Sequence, residues 1–343
     1  MQSVLDAVSC PAAGSCTAVG QKTSGYRVEP LAERLAASAW QPVPVAPAGR
    51  SSELTAVSCS GASFCMAVGG QPRGGALSEI WRGAGWMRQR VAVPGGAPVL
   101  DGVSCLRPRF CLAVGATKLE HSLGERWNGT SWLRTETPDW NAEVVEPLRG
   151  VSCSFANVCI AVGTTYSQAS QSPVIDVYRD HAWSRLTVPA ATTGGTLRGI
   201  SCVATPRHAS WCLAVGSIGS GATRRPLAVA IAGTAVTALA PLPGAGTSLA
   251  GVNCVAVEHC IAIGVKVSRS GLGIPFAERL WPTGWKLVPP SSRASTVLPA
   301  GVSCAPKWGC EAVGSSFDPL RRTVTASAQR LRGGVWSSLV LAP

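Results

Sequence analysis

The chain has 343 residues and a formal charge of +12, from 25 Arg and 5 Lys against 18 Asp plus Glu. Apolar residues make up 46% and charged residues 14%, which excludes a disordered chain, since disorder needs low hydrophobicity with high charge. The 38 Gly and 25 Pro, spread along the length, call for many turns, and the basic balance attracts nucleic acid, acidic glycan or anionic lipid without choosing among them.

No signal peptide is seen at Met1, which opens almost directly into a phrase that returns seven times. In chain order it reads LDAVSC from Leu5, LTAVSC from Leu54, LDGVSC from Leu100, LRGVSC from Leu148, LRGISC from Leu197, LAGVNC from Leu249 and LPAGVSC from Leu298, the last with one extra residue. Its cysteines are spaced by 49, 46, 48, 49, 52 and 50 residues. Each phrase leads to a second cysteine and then A-V-G or A-I-G, ending at Gly20, Gly69, Gly115, Gly163, Gly216, Gly264 and Gly314.

Each unit carries four β signals separated by Gly-rich or polar breaks. The first is the V-S-C run. The second is C-x-A-V-G, with Ala in all seven copies and apolar neighbours, which predicts a strand covered on both faces; Glu311 breaks that pattern and is expected to face a channel or a weaker contact. The third is the E-R-W run, with acids in register at Glu33, Glu79, Glu125, Asp176 and Glu278; these read as architecture, pairing with Arg34, Arg126 or Arg279. The fourth begins at a repeated Trp (Trp40, Trp86, Trp132, Trp183, Trp285, Trp336), with Val236 in unit five, and the Trp reads as a packing anchor between units. The uncharged stretch 226–257 falls on strands three and four of unit five and the start of unit six, and Gly and Pro interrupt it, so it is not expected to cross a membrane.

Four short strands in about 49 residues is the size of a propeller blade. The predicted fold is therefore all-β: one seven-bladed β-propeller over 1–343, four antiparallel strands per blade, one disulfide per blade. The blades are expected at about 1–50, 51–96, 97–144, 145–193, 194–245, 246–294 and 295–343. With a first strand at the start and a fourth at the end, no shared blade is expected to clasp the termini and closure would rest on packing and the disulfides; the alternative is that Met1 is a misplaced start and an upstream strand is missing.

Six cysteine pairs are C-x5-C: Cys10–Cys16, Cys59–Cys65, Cys105–Cys111, Cys153–Cys159, Cys254–Cys260 and Cys304–Cys310; unit five has C-x9-C, Cys202–Cys212. Strands one and two form a hairpin, so the partners can face each other across it at disulfide distance. The four extra residues of unit five can add two to each side and keep the pair facing. Reduced thiols and zinc are the rival readings; structural zinc prefers C-x2-4-C spacing and four ligands in one place. Disulfides imply an oxidising compartment.

The combination V-S-C-x5-C-x-A-V-G with G-E-R-W-N-G-T-S-W at Gly124 to Trp132 resembles a family of repeat proteins from actinobacteria and related high-GC bacteria. The resemblance covers essentially the whole chain and implies an exported β-propeller, but brings no catalytic residue. A weaker similarity is to the Asp-box turn of sialidase-like propellers at Asn128 to Trp132, where the Asp is missing. A sialidase-like site would need an arginine cluster, acids and a tyrosine nucleophile, and only Tyr26, Tyr166 and Tyr178 exist.

No nucleophile elbow, P-loop or metal-ligand spacing is present; His121, His181, His208 and His259 are scattered. No catalytic residue, cofactor or metal is expected. Loops between strands two and three vary most and carry cations, so Arg27, Arg73, Lys118, Arg224, Arg225, Lys266, Arg269, Arg321 and Arg322, with Trp140 on an inter-blade loop, are the candidate ligand-binding residues. Trp308 is a further loose tryptophan. The expected function is a non-catalytic extracellular or surface propeller, a monomer, binding an anionic glycan, cell-wall polymer or acidic protein. The alternatives are a carbohydrate-active hydrolase or lyase and an assembly factor. The lack of interleaved aromatics argues against nucleic acid.

Overall fold

A computed structural model describes residues 2–341 except 37–38, 47–48, 50, 72–73, 92–97, 120, 139–145, 156–157, 168–169, 207–209, 242–243, 269–272, 290–296, 306–308 and 319. The four β signals of each repeat form one four-stranded antiparallel sheet, its strands in sequence order, and there are seven such sheets. Blade 1 is Gln2–Ala12, Ser15–Ser24, Arg27–Ala36 and Ala39–Pro42. The first strands of blades 2 to 7 are Glu53–Gly61, Val99–Arg107, Leu148–Phe155, Gly195–Ala204, Thr247–Ala256 and Val297–Ala305. Each first strand touches the first strands of both neighbouring blades, blade 7 against blade 1 included. The seven therefore make the innermost ring of a closed seven-bladed β-propeller.

The core is a set of seven apolar clusters, and each spans two consecutive blades. This is why the second strand is apolar on both faces. Ala18 and Val19 are adjacent, point opposite ways, and are both fully buried. The fourth-strand tryptophans are anchors between blades, as predicted: Trp132 Nε1 donates to Ser78 Oγ of the preceding blade at 3.0 Å, and Trp183 Nε1 to Thr135 Oγ1 at 3.0 Å.

Seven disulfides join the predicted pairs, one in each blade, with Cα atoms 3.9–4.1 Å apart. In blade 5 the hairpin is extended by the pairs Val203↔Trp211 and Ala204↔Ser210, so Cys202 still faces Cys212. That is the two-plus-two insertion expected from C-x9-C.

The serine before each first cysteine has a role that repetition alone did not reveal. Its Oγ accepts the backbone N–H of the first cysteine in the next blade, as in Ser9 to Cys59, Ser58 to Cys105 and Ser104 to Cys153. Asn253 supplies its side-chain oxygen where blade 6 lacks the serine, and Ser303 of blade 7 accepts from Cys10 of blade 1. All seven bonds measure 2.9–3.1 Å. The ring of hydrogen bonds is thus unbroken across the joint where the chain is not continuous. That joint is reinforced by Ala326 N–H to Ser3 Oγ at 2.9 Å and Trp40 N–H to the Val340 carbonyl at 3.1 Å. Each of the seven sheets takes its four strands from one continuous stretch, so no strand is exchanged across this joint.

Two local expectations are corrected. Glu311 does not face a channel: it is buried opposite Arg330 on the adjacent strand, with Arg330 Nε 2.5 Å from Glu311 Oε1. Glu33 and Glu125 make no ion pair with Arg34 or Arg126 among the described residues. Each of those arginines follows an acid in sequence, so its side chain leaves the opposite face. The ion pairs of Glu79 and Asp176 go to the residues facing them on the fourth strand, Arg88 at 3.0 Å and Arg185 at 2.9 Å. Arg34 instead donates to Thr17 Oγ1 and the Ala62 carbonyl and lies over the Trp81 ring.

Candidate functional site: the mouth of the central channel

The channel mouth is built by a β-bulge that every blade carries at the same place. In the first strand the pairing register slips at the residue after the leucine: Leu5 pairs with Gly20 but Ala7 with Val19, leaving Asp6 extra. The same slip leaves Thr55, Asp101, Arg149, Arg198, Ala250 and Ala300 unpaired in blades 2 to 7. A bulge bends its strand and disrupts the ladder locally, and the A-V-G glycine lies where the first-strand backbone comes too close for a side chain. A Cβ on Gly115 would lie 2.0 Å from the Val99 carbonyl oxygen, and the equivalents at Gly20 and Gly216 would lie 2.1 and 1.9 Å from theirs.

The bulge re-aims its extra side chain. Asp101, Arg149, Arg198, Ala250 and Ala300, from five different blades, line one cavity of about 490 Å³ together with Thr164, Tyr166, Thr196, Leu197 and Pro299. A cavity shared by first strands of five blades lies on the axis of the ring. Tyr166 ends the second strand of blade 4, Val158–Tyr166, so the cavity opens toward the face that carries the connections between strands two and three.

The mouth is divided by charge. On blades 4 and 5 it is basic. Arg149 Nη1 donates to Asp101 Oδ2 at 2.9 Å, which neutralises that cation. Arg198 is exposed and makes no ion pair among the described residues. The same cavity is lined by the half-exposed Tyr166, by the buried Thr164 and by Thr196, whose hydroxyl donates to the Ser217 carbonyl. Blades 6 and 7 contribute only small apolar groups. On blades 1 and 2 the bulge position is acidic or neutral, and Asp6 is raised to about 6 by burial and by the neighbouring charge of Glu53. Burial pushes Glu53 up as well. Tyr178 is fully buried with its hydroxyl on His181, so it is core.

The loop cations predicted from sequence lie elsewhere. Arg27, Lys118, Arg224, Arg225, Lys266, Arg321 and Arg322 all sit at the end of the blades where strand two turns into strand three, but none lines the channel cavity. Arg27 is 2.7 Å from Glu29, and Arg321 is 3.9 Å from Asp318. The Arg224 carbonyl accepts the N–H groups of Gly246 and Thr247, tying that loop to the next blade. Arg73, Arg269, Trp140 and Trp308 lie outside the described residues.

No protein-family model and no curated protein matches the chain. Solved structures do match in fold, and together with the site they define the class: a disulfide-stapled seven-bladed β-propeller with a polar channel mouth. YCF48 from Cyanidioschyzon merolae is 14% identical over 96% of this chain and 96% of that one, with a TM-score of 0.59. The GH74 xyloglucanase from Xanthomonas campestris is 11% identical over 95% of this chain, with a TM-score of 0.60; the match spans 54% of that chain, about half its length. The SapL1 lectin, solved with alpha methyl fucoside, is 11% identical over 84% of this chain and 95% of that one, with a TM-score of 0.51. At these identities the likeness is one of fold.

Proposed function

We propose that the protein is a non-catalytic binding propeller of the cell exterior, a monomer that holds an acidic glycan or cell-wall polymer at its channel mouth. The observation that carries this reading is Arg198: an exposed residue without an ion-pair partner among the described residues, on a bulge that lines the same cavity as Tyr166, Thr164 and Thr196. A guanidinium binds a carboxylate or phosphate in a fork, hydroxyls orient sugar hydroxyls, and an aromatic face stacks on a sugar ring. Among the described residues the only carboxylate lining the cavity, Asp101, is held by Arg149, and no tyrosine–glutamate pair converges there. Seven disulfides fit an oxidising compartment, and no helix among the described residues is long and apolar enough to cross a membrane. The lectin in the comparison, solved with a sugar bound, is compatible with this use of the fold.

Titration of the oxidised protein with uronate-containing and neutral oligosaccharides of equal length tests the reading. Uronates are expected to bind and neutral sugars to bind at least tenfold more weakly, and Arg198→Gln is expected to erase the difference. Equal binding of both, or indifference to Arg198→Gln, would discard it. A carbohydrate-active hydrolase is the second reading, favoured by Asp6, whose raised carboxyl beside Glu53 resembles a general acid. Turnover of the oligosaccharide that disappears in Asp6→Asn would establish that reading in place of the first.

A further inference from the structure

Exposed apolar side chains are concentrated on one sector of the ring. At the strand two–three end of blades 6, 7 and 1, three consecutive blades, stand Val267, Ile274, Leu298, Phe317, Leu320 and Tyr26. Two of them project fully, Tyr26 at 106% and Leu320 at 94% relative exposure. Scattered single apolar residues would need no explanation, but these are gathered and two are held out by built turns. Asp318 Oδ1 accepts the N–H groups of Leu320 and Arg321 at 2.9 and 3.1 Å, and Arg322 adopts φ 52°, so Leu320 sits at the tip of an ordered turn. Tyr26 follows Gly25, with φ 59°, in a two-residue hairpin between the paired Ser24 and Arg27.

Leu298 is exposed for a specific reason. The extra residue of the seventh phrase moves Pro299 opposite Gly314, the slot that Leu5, Leu54, Leu100, Leu148, Leu197 and Leu249 fill in the other blades. Leu298 is thereby pushed out to the surface. It meets blade 6 there: a Cβ on Gly273 would be 2.4 Å from Leu298 Cδ2.

Cations flank the projecting groups. Arg27 follows Tyr26, Lys266 precedes Val267, and Arg321 with Arg322 follows Leu320. Glu29 and Asp318 offset part of this charge, Glu29 by pairing with Lys22 and Arg27. Lys266 and Arg322 make no ion pair among the described residues.

We propose that this sector docks the propeller on an anionic bilayer surface, with Tyr26 and Leu320 inserted at headgroup depth and the neighbouring cations on lipid phosphates. Separate apolar tips, each beside a long basic side chain, can sink while the charges remain at the interface. A protein partner would favour a flat centre depleted of charge. The polar residues of the channel mouth come from blades 3 to 5, the other side of the ring, so tilted docking leaves the mouth open.

The test is co-sedimentation of the oxidised full chain with phosphatidylcholine vesicles, with and without a minority of phosphatidylglycerol. Binding is expected only with the anionic lipid and is expected to weaken with salt. Arg321→Ser with Arg322→Ser should lower partitioning about 25-fold, roughly fivefold for each charge. Tyr26→Ser with Leu320→Ser should lower it about tenfold or more, at an unchanged melting temperature, since both side chains are free of packing. Absence of binding to anionic vesicles overturns the proposal. So does binding that persists within about twofold in Tyr26→Ser/Leu320→Ser and is matched by soluble polyglutamate, which would assign the sector to an acidic protein or polymer. Arg198→Gln should leave vesicle binding intact, so the outcome here is separable from that for the channel mouth.

Discussion

Removing one hydroxyl from the inner ring should loosen the whole propeller, and more so at one joint than at the others. Ser303→Ala deletes the acceptor for the Cys10 N–H, a bond of 3.0 Å between blades 7 and 1. The N–H stays behind in a buried interface with no oxygen to meet, since Cys10 and the surrounding Leu5, Val8 and Val313 are buried. An unsatisfied buried donor costs about 1–3 kcal/mol. With an unfolding entropy of about 2 cal/mol/K per residue over 343 residues, this lowers the melting temperature by about 1.5–4 °C. Ser58→Ala removes the same bond, 2.9 Å long, between blades 2 and 3, and should cost a similar amount at equilibrium. The two should differ in local opening, because blades 2 and 3 are also joined by the chain whereas blades 7 and 1 meet only through packing and hydrogen bonds. Calorimetry measures the first quantity and limited proteolysis below the transition the second, with Ser303→Ala cut faster. Melting temperatures within about 0.5 °C of wild type, or equal proteolysis of the two variants, would refute the reasoning.

Gly115→Ala should be among the most damaging small substitutions, costing about 3 kcal/mol or more, because its methyl would sit 2.0 Å from the Val99 carbonyl oxygen; Gly61→Ala, which meets nothing within 4 Å, is the near-neutral control in the same thermal melts. Glu33 is buried and its carboxyl is raised to about 7 by burial alone. A folded pKa above the unfolded value of about 4.3 gives a stability contribution that is complete below that value and is lost as pH rises through about 7. Glu33→Gln should therefore stabilise the protein at pH above about 7, on the order of 1–3 kcal/mol, and do little in mild acid; a wild-type-like pH profile in denaturant titrations would contradict this.

The blade architecture was legible because seven copies reported the same solution. A strand buried on both sides, a facing cysteine pair and a tryptophan anchor each recur in register, and each has one simple geometric meaning. The bulge was not legible in the phrase. The bulge shows only in the pairing, where Leu5 faces Gly20 but Ala7 faces Val19, because a blade covered on both faces buries adjacent residues and so hides the phase slip. Loop variation points outward, to Arg27, Lys118 and Arg225, whereas the channel cavity is lined from a variable position inside the constant phrase. The residue left extra by the bulge changes from Asp6 and Thr55 to Asp101, Arg149, Arg198, Ala250 and Ala300. The misassigned acid pairs have a similar origin: adjacency in sequence suggested Glu33 with Arg34, whereas strand geometry sends neighbours to opposite faces. The serine-to-cysteine ring could not be read from one blade, because each bond belongs to two.

The most direct test of the central claim is a crystal structure of the oxidised protein with a uronate oligosaccharide. The account predicts a sugar carboxylate on the Arg198 guanidinium, with Tyr166 against the ring, inside the cavity formed by the bulge residues. A sugar bound only at outer loop cations such as Lys118 or Arg225, with the channel mouth left to solvent, would contradict it.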